Sequence, residues 1–410
     1  MTLRPTPLSL ITLIACSMAA PLAASAGVHT IETRHGQPCW VIRNDNIELS
    51  LSQLGGHMAP VSFYRGDARA VQPYHISPWQ EENLELPAPI MVPLRGDFFC
   101  LPFGGNNTAY HGEQHPPHGE TSGSPWTLVS AKKSGMITSL MVELETKVRP
   151  GKITKQLHLR DGQNVVYSTH TIEGFAGPTP LGHHATLAMP EEEGVFNISH
   201  SPIRFGLVYP GVFSAPANRE YQQLKPGDRF SKLSRVESIF AGAPDVDVSR
   251  LPQKKGYADL LAIFSRDNLK HPAWLTAVNS KEGWLWFSLK DPSVLPATVF
   301  WLENGGRHGS PWLGRNNCVG LEDVCAYFAD GIAESAGENA VNRRGIKTAH
   351  ELTADRPLHV HYIQGVAKLP PGFVEVKDVE YGDGEVTFVS TNGERVITPV
   401  NHGFLQTGRP

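Results

Sequence analysis

Three short stretches of the chain gather side chains able to hold or move a proton. The first is His111-Gly112-Glu113-Gln114-His115-Pro116-Pro117-His118-Gly119-Glu120. Imidazole and carboxylate groups at this density suit several divalent metals. They equally suit a polar loop that binds a ligand, or a loop whose histidines bond its own carbonyls. Pro116 and Pro117 would splay His111, His115 and His118 as a metal set. The second stretch, Leu181-Gly182-His183-His184-Ala185-Thr186-Leu187, sets two adjacent histidines in an apolar run. Alternation along a strand sends one imidazole to the core and the other outward or into a cleft. Histidine is the natural general acid near neutral pH, because an unperturbed pKa of about 6.5 leaves both forms available. A purely structural histidine fits the same residues. The third stretch is Asn317-Cys318-Val319-Gly320-Leu321-Glu322-Asp323. Partial burial of Glu322 at a pocket rim would raise its pKa and suit it to act as a base. An acid capping a following helix is the competing reading. Upstream, Arg307, His308, Trp312 and Arg315 supply donors and an aromatic face suited to a hydroxyl-rich ring.

These residues need elements to position them. Segment 93–126 holds Pro93, Pro102, Pro116, Pro117 and Pro125, each of which removes an amide donor and rules out a continuous helix or central strand. Its glycines suggest tight turns or close approach to a ligand. The segment reads as the floor of a polar sugar pocket carrying Arg95 and His118. Short β-branched and aromatic runs flank it: 28–33, 39–43, 47–51 and 59–64 before, then 126–130, 137–148, 153–159 and 165–172 after. In 140–147 the apolar side chains recur every second residue, as in a half-buried strand. Strand signals return at 260–264, 274–278, 284–289 and 298–302, and three or four more strands fit 358–397. Segments 65–92 and 190–256 read as loop. The best helical candidate is 326–341, which Gly331 and Gly337 weaken. No fixed repeat and no linker appears, so residues 27–410 read as one domain. Many antiparallel strands with few helices predict an all-β fold, a large antiparallel β-sandwich.

Composition narrows the partners. The 410 residues are 40% hydrophobic and 19% charged, with a formal net charge of −4. That balance excludes disorder and disfavours nucleic acid or an anionic membrane surface. The 39 glycines and 33 prolines suit many strands joined by turns. Arg4, an apolar run and Ala24-Ser25-Ala26 have the form of a secretory signal peptide over residues 1–26. Leu13-Ile14-Ala15-Cys16 also resembles a lipobox, and lipidation at Cys16 would be the one route to a membrane. Both readings predict export, periplasmic or secreted. Cys39, Cys100, Cys318 and Cys325 then remain, and four cysteines permit three disulfide pairings.

In this order, the three stretches resemble the galactose mutarotase-like superfamily, which includes the aldose 1-epimerases. His118 to Trp126 is similar to that family's HGFAR…W or HGG…W element, Gly182-His183-His184-Ala185-Thr186-Leu187 to its G-x-H-P-x-F strand, and Gly320-Leu321-Glu322 to its late G-L-E strand. The resemblance spans roughly residues 28–400. It implies the large β-sandwich fold of that superfamily, with His184 as general acid and Glu322 as general base in ring opening of an aldose. It places Arg95, His118, Glu120, Trp126, His183 and Arg315 among the sugar-binding residues, and it implies no metal or redox cofactor. The two catalytic groups are expected on opposite sides of the sugar. The arginine of HGFAR is replaced here by Ser122-Gly123, which argues against a phosphorylated substrate. Ala185-Thr186-Leu187 stands where the family favours proline and aromatic residues. Segments 65–92 and 190–256 are additions that would alter specificity or cover the site. A sugar-binding protein of the same fold without catalysis remains the alternative, followed by a metal-dependent sugar enzyme or a polysaccharide lyase.

Overall fold

The computed structural model describes residues 1–2 and 28–410, so the apolar run expected to act as a leader, its expected cleavage site and Cys16 lie outside the described residues. Two large antiparallel sheets dominate. The nine-stranded sheet runs, edge to edge, through 250–251, 196–200, 273–279, 284–290, 358–368, 165–173, 151–160, 137–146 and 127–134. The eight-stranded sheet runs through 229–230, 203–208, 257–265, 297–304, 317–325, 181–183 and 99–100, with 185–188 also paired to 317–325. Four strands over 29–63 and three over 376–399 form smaller sheets. The all-β antiparallel sandwich read from the sequence is the architecture found.

The sheets are buried to different degrees, and their sequences differ accordingly. Strand Ile137–Thr146 alternates buried and half-buried residues, the signature of a sheet with one wet face. Strand Asn317–Cys325 is buried from its second residue to its last, because both faces of its sheet are covered. One face packs Phe300, Leu302, Val319 and Leu321 into the core shared with Trp286, Tyr362 and Leu275 of the nine-stranded sheet. The opposite face packs Val299, Trp301, Cys318 and Val324 against Trp79, Ile90, Phe103 and Phe328 from the loops. The candidate site sits in this second layer.

Several loop readings change. Segment 190–256 contributes strands to both large sheets, including Phe196–His200 and Ile203–Val208. The floor segment contains the short strand Phe99–Cys100, paired to Gly182–His183. The helix expected over 326–341 shrinks to Ile332–Ala336. Gly331 starts it with φ +125, and a Cβ there would stand 2.6 Å from Asn106 Oδ1, so the contact with Asn106 sets the boundary. All four cysteines of the described residues are free and buried. Cys318 and Cys325 lie seven residues apart on one strand, roughly 23 Å at the usual rise, and cannot pair.

The inner core is not purely apolar. Asp323 Oδ1 accepts from Lys290 Nζ (2.5 Å) and Thr298 (2.5 Å), and Oδ2 accepts from Ser288 (2.7 Å) and Tyr362 (2.8 Å). Burial pushes the Asp323 carboxyl up, but Lys290 and the hydroxyls more than offset it and hold the group below its ordinary value. Ser288, Lys290 and Tyr362 belong to the nine-stranded sheet, so the cluster bolts the two sheets together. Lys290→Met is expected to cost about 3–5 kcal/mol in urea unfolding, because it strands a buried charge. Adding Asp323→Asn is expected to return part of that loss.

Candidate functional site

Strand Asn317–Cys325 is the spine of the site. Its pairing with Ala297–Asn304 sets Glu322 opposite Val299 and Gly320 opposite Trp301. On its other edge, Ala185–Ala188 and Leu181–Gly182 pair with it, and His184 falls in the gap between those two strands. The His184 amide donates instead to Phe98 O at 2.9 Å. Its ring stacks on Phe98 at 4.5 Å, and Phe98 stacks in turn on His57 at 4.0 Å. The imidazole is therefore fixed by packing before any ligand arrives.

His184 Nε2 lies 3.2 Å from Glu322 Oε1. His184 Nδ1 lies 3.1 Å from Thr186 Oγ1, and His118 meets the His184 ring edge-on at 4.9 Å. Burial drives Glu322 well above the usual carboxylate range and His184 well below the usual imidazole range. These two directions express one constraint. A low-dielectric site opposes net charge, so the pair holds one proton between its members over a wide pH range. Desolvation likewise lowers His118 to about 4. The two groups expected on opposite sides of a sugar instead touch each other.

They line a cavity of about 240 Å³ with Trp301, Arg307 and Trp312. Ala88, Ile90, Met91 and Leu94 form part of its wall, and Phe213 also lines it. Both segments that the sequence marks as additions therefore reach the cavity. Trp79 holds its wall in place, donating from Nε1 to Met91 O (2.9 Å) and meeting Trp312 edge-on at 4.9 Å. The volume lies below the range of about 300–1,000 Å³ usual for drug-sized ligands, so it suits one compact ring.

The other sequence-named residues fall elsewhere. Arg95 is buried, donating to Arg34 O (2.7 Å), His35 O (2.9 Å), Pro93 O (3.1 Å) and Gln80, and clamps the hairpin at 34–37. Burial lowers it to about 10. Glu120 accepts from the Lys147 and Val148 amides and caps their turn. Trp126 packs in the inner core beneath Lys155 Nζ, 5.3 Å from its ring. His183 points the other way from His184, bonding Asp97 Oδ2 at 2.8 Å and stacking on Tyr362 at 4.0 Å. Arg315 pairs with Glu82 and ties the 65–92 wall to the 307–315 loop. None of these five lines the cavity. His115 bonds Glu113, which Arg149 also holds, and His111 is exposed. Among the described residues no cluster of three ligating side chains is placed to hold a metal. Trp301 and Phe213 escaped the sequence reading, although Trp301 stands on the strand beside the one that carries Glu322.

No protein-family model matches the sequence, and neither does any curated protein. The fold does have solved counterparts. A galactose mutarotase-like protein from Clostridium acetobutylicum superposes with TM-score 0.56 at 12% identity, over 84% of this chain and 99% of its own. An aldose 1-epimerase candidate from Escherichia coli K12 gives 0.53 at 13% identity, over 82% of this chain and 100% of its own. A galactose mutarotase related enzyme from Lactobacillus acidophilus gives 0.50 at 11% identity, over 81% and 99%. The chain thus has the β-sandwich fold of these galactose mutarotase-like structures.

Gly320 explains part of the late motif. A Cβ on it would stand 2.4 Å from Glu322 Oε1 and 3.1 Å from Trp301 Cβ. Gly320→Ala is expected to turn the carboxyl away from His184 while the sandwich stays intact. A crystal structure of the variant, or the ring resonances of His184 by NMR, would show it. An unmoved carboxyl would refute the steric account.

Proposed function

We propose that the chain is an exported enzyme of the aldose 1-epimerase type, acting on the anomeric centre of a non-phosphorylated sugar. The observation that carries this reading is the 3.2 Å contact between His184 and Glu322 inside a cavity with tryptophan on its wall. The leader-like residues 1–26 support export.

In the proposed reaction, the ion-pair form of the couple, imidazolium and carboxylate, engages the cyclic sugar. Glu322 takes the proton of the anomeric hydroxyl while His184 gives its proton to the ring oxygen. The bond between C1 and the ring oxygen breaks, and the electron pair left on the hydroxyl oxygen becomes the carbonyl of the open aldehyde. Rotation about C1–C2 and the reverse transfer close the ring on the other face. The couple gains and loses no proton overall, which a buried site favours. The two sugar oxygens share one carbon, so acid and base need to be close neighbours. Trp301 and Trp312 offer apolar faces to the ring's C–H side, and His118 offers a ring nitrogen to a hydroxyl.

A sugar-binding protein without turnover is the second reading, favoured by the burial that pushes Glu322 up and so opposes the carboxylate a base requires. Polarimetry on freshly dissolved aldoses separates the two. Turnover that falls about 10²–10⁴-fold in Glu322→Gln and in His184→Ala is the expected result. Binding by calorimetry with no acceleration for any aldose would establish the second reading. The pH profile carries a further expectation. Protonating His184 would leave the pair cationic, and burial opposes that until the pH is low. Removing the shared proton would leave it anionic, and burial opposes that until the pH is high. A plateau in kcat/KM that extends well to both sides of neutral pH is expected, in place of a narrow bell.

A further inference from the structure

Arg307 is the one arginine or lysine among the described residues that line the cavity. Its place is built with care. Gly305 takes φ +67, and Gly306 runs so close to strand Tyr257–Ser265 that a Cβ would stand 2.4 Å from the Tyr257 carbonyl carbon. The buried carboxyl of Glu303 accepts from the Gly306 amide (2.8 Å) and the Arg307 amide (3.1 Å). Its other oxygen lies 3.6 Å from Arg307 Nε and has no hydrogen-bond partner. Three aromatic rings surround the guanidinium, with Trp312 at 5.0 Å, Phe213 at 5.3 Å and Trp301 at 5.6 Å. Among the described residues, neither terminal nitrogen of Arg307 donates to a protein acceptor. Arg95, Arg149 and Arg315, by contrast, spend their donors on named oxygens. Arg307 is thus oriented through Nε and its terminal nitrogens are left for a ligand.

We propose that Arg307 selects sugars bearing a carboxylate, the uronic acids, within the reaction proposed above, on which this inference rests. A guanidinium presents parallel N–H groups that match the two oxygens of a carboxylate. The three rings flank a guanidinium whose side chain stays 29% exposed, which leaves it open to a ligand while the apolar faces strengthen the pairing. One cation suits one negative charge. A phosphate ester carries closer to two, and the remaining lining is apolar, aromatic or held in the neutral His184–Glu322 couple. Burial pushes Glu303 up to about 7, so its carboxylate only partly cancels the Arg307 charge.

The test compares glucuronate and galacturonate with glucose and galactose, and includes glucose 6-phosphate. Mutarotation is followed with wild type, Arg307→Gln and Arg307→Lys. The expected wild-type ratio of uronate to neutral kcat/KM is about tenfold or more at low salt and falls as salt is added. Arg307→Gln is expected to bring that ratio to about one, and Arg307→Lys to an intermediate value, whatever each variant does to the separate rates. A wild-type ratio near one, or a ratio that survives Arg307→Gln, overturns the proposal. A preference for the phosphate ester overturns the carboxylate assignment. Should the variants fail to fold, the wild-type ratio and its salt dependence decide. Should no sugar be turned over, calorimetry on the same panel decides. Tighter uronate binding that Arg307→Gln abolishes upholds the selectivity while the epimerase reading fails, and equal or absent binding sinks both.

Discussion

Everything at the candidate site depends on the buried ion pair of Asp323 and Lys290 on the other side of the same strand. A carboxylate in the core is tolerable only where its partners are, and four of them converge on Asp323. That requirement fixes which face of strand Asn317–Cys325 meets the nine-stranded sheet and, through Thr298, its register against strand Ala297–Asn304. A slip of one residue would turn Asp323 into the outer layer and drive Glu322 between the two large sheets, where Lys290 lies. The two adjacent acids therefore have opposite tasks. Asp323 locks the sandwich, and the lock aims Glu322 at the cavity.

The histidine pair follows the same division. His183 joins Asp97, Gln364 and Tyr362 in the inner polar network, and His184 faces the outer layer. The inner network makes the scaffold rigid, and the outer pair inherits that rigidity through Phe98 and the strand pairing. Preorganisation of this kind matters for proton transfer, since an acid and a base are useful only when their separation is held without help from the ligand.

Much of this was legible in the sequence, for reasons that differ from residue to residue. Alternation in 137–146 betrays a half-wet sheet, whereas the nearly continuous apolar run Trp284–Leu289 fits burial on both faces, and strand Asn317–Cys325 is buried despite Glu322 and Asp323. His184 and Glu322 stood out through order and spacing within a resemblance. The polar residues near them did not sort correctly, because a side chain's type does not say which oxygen it will satisfy. Arg95 looked like a ligand contact, yet four of its donors go to nearby oxygens of the protein. Glu120 is spent on a turn, Arg315 on Glu82, and Trp126 on the inner core. The floor segment 93–126 reaches the cavity through only Leu94, Pro117 and His118. Its glycines serve turns and backbone crossings, as at Gly119, where a Cβ would stand 1.9 Å from Leu101 O. The 326–341 helix failed because Gly331 is needed against Asn106, a contact across 225 residues that no local propensity records.

The counterparts share the sandwich at 11–13% identity, so what the likeness establishes is a way of covering two sheets. In this chain the strands supply Glu322, Trp301 and Leu260, His184 sits in the break between two short strands, and the loops supply the rest of the lining. Ala88, Ile90, Met91, Leu94, Phe213, Arg307 and Trp312 are among these loop residues. Loops change shape between relatives far more freely than the strands they join. The proposed reaction and the proposed ligand preference would accordingly be carried by different parts of the molecule. The first is tied to a strand whose register a buried charge enforces. The second is tied to segments held mainly by Trp79, Arg315 and the Glu303 carboxyl, which can be rebuilt without disturbing that register.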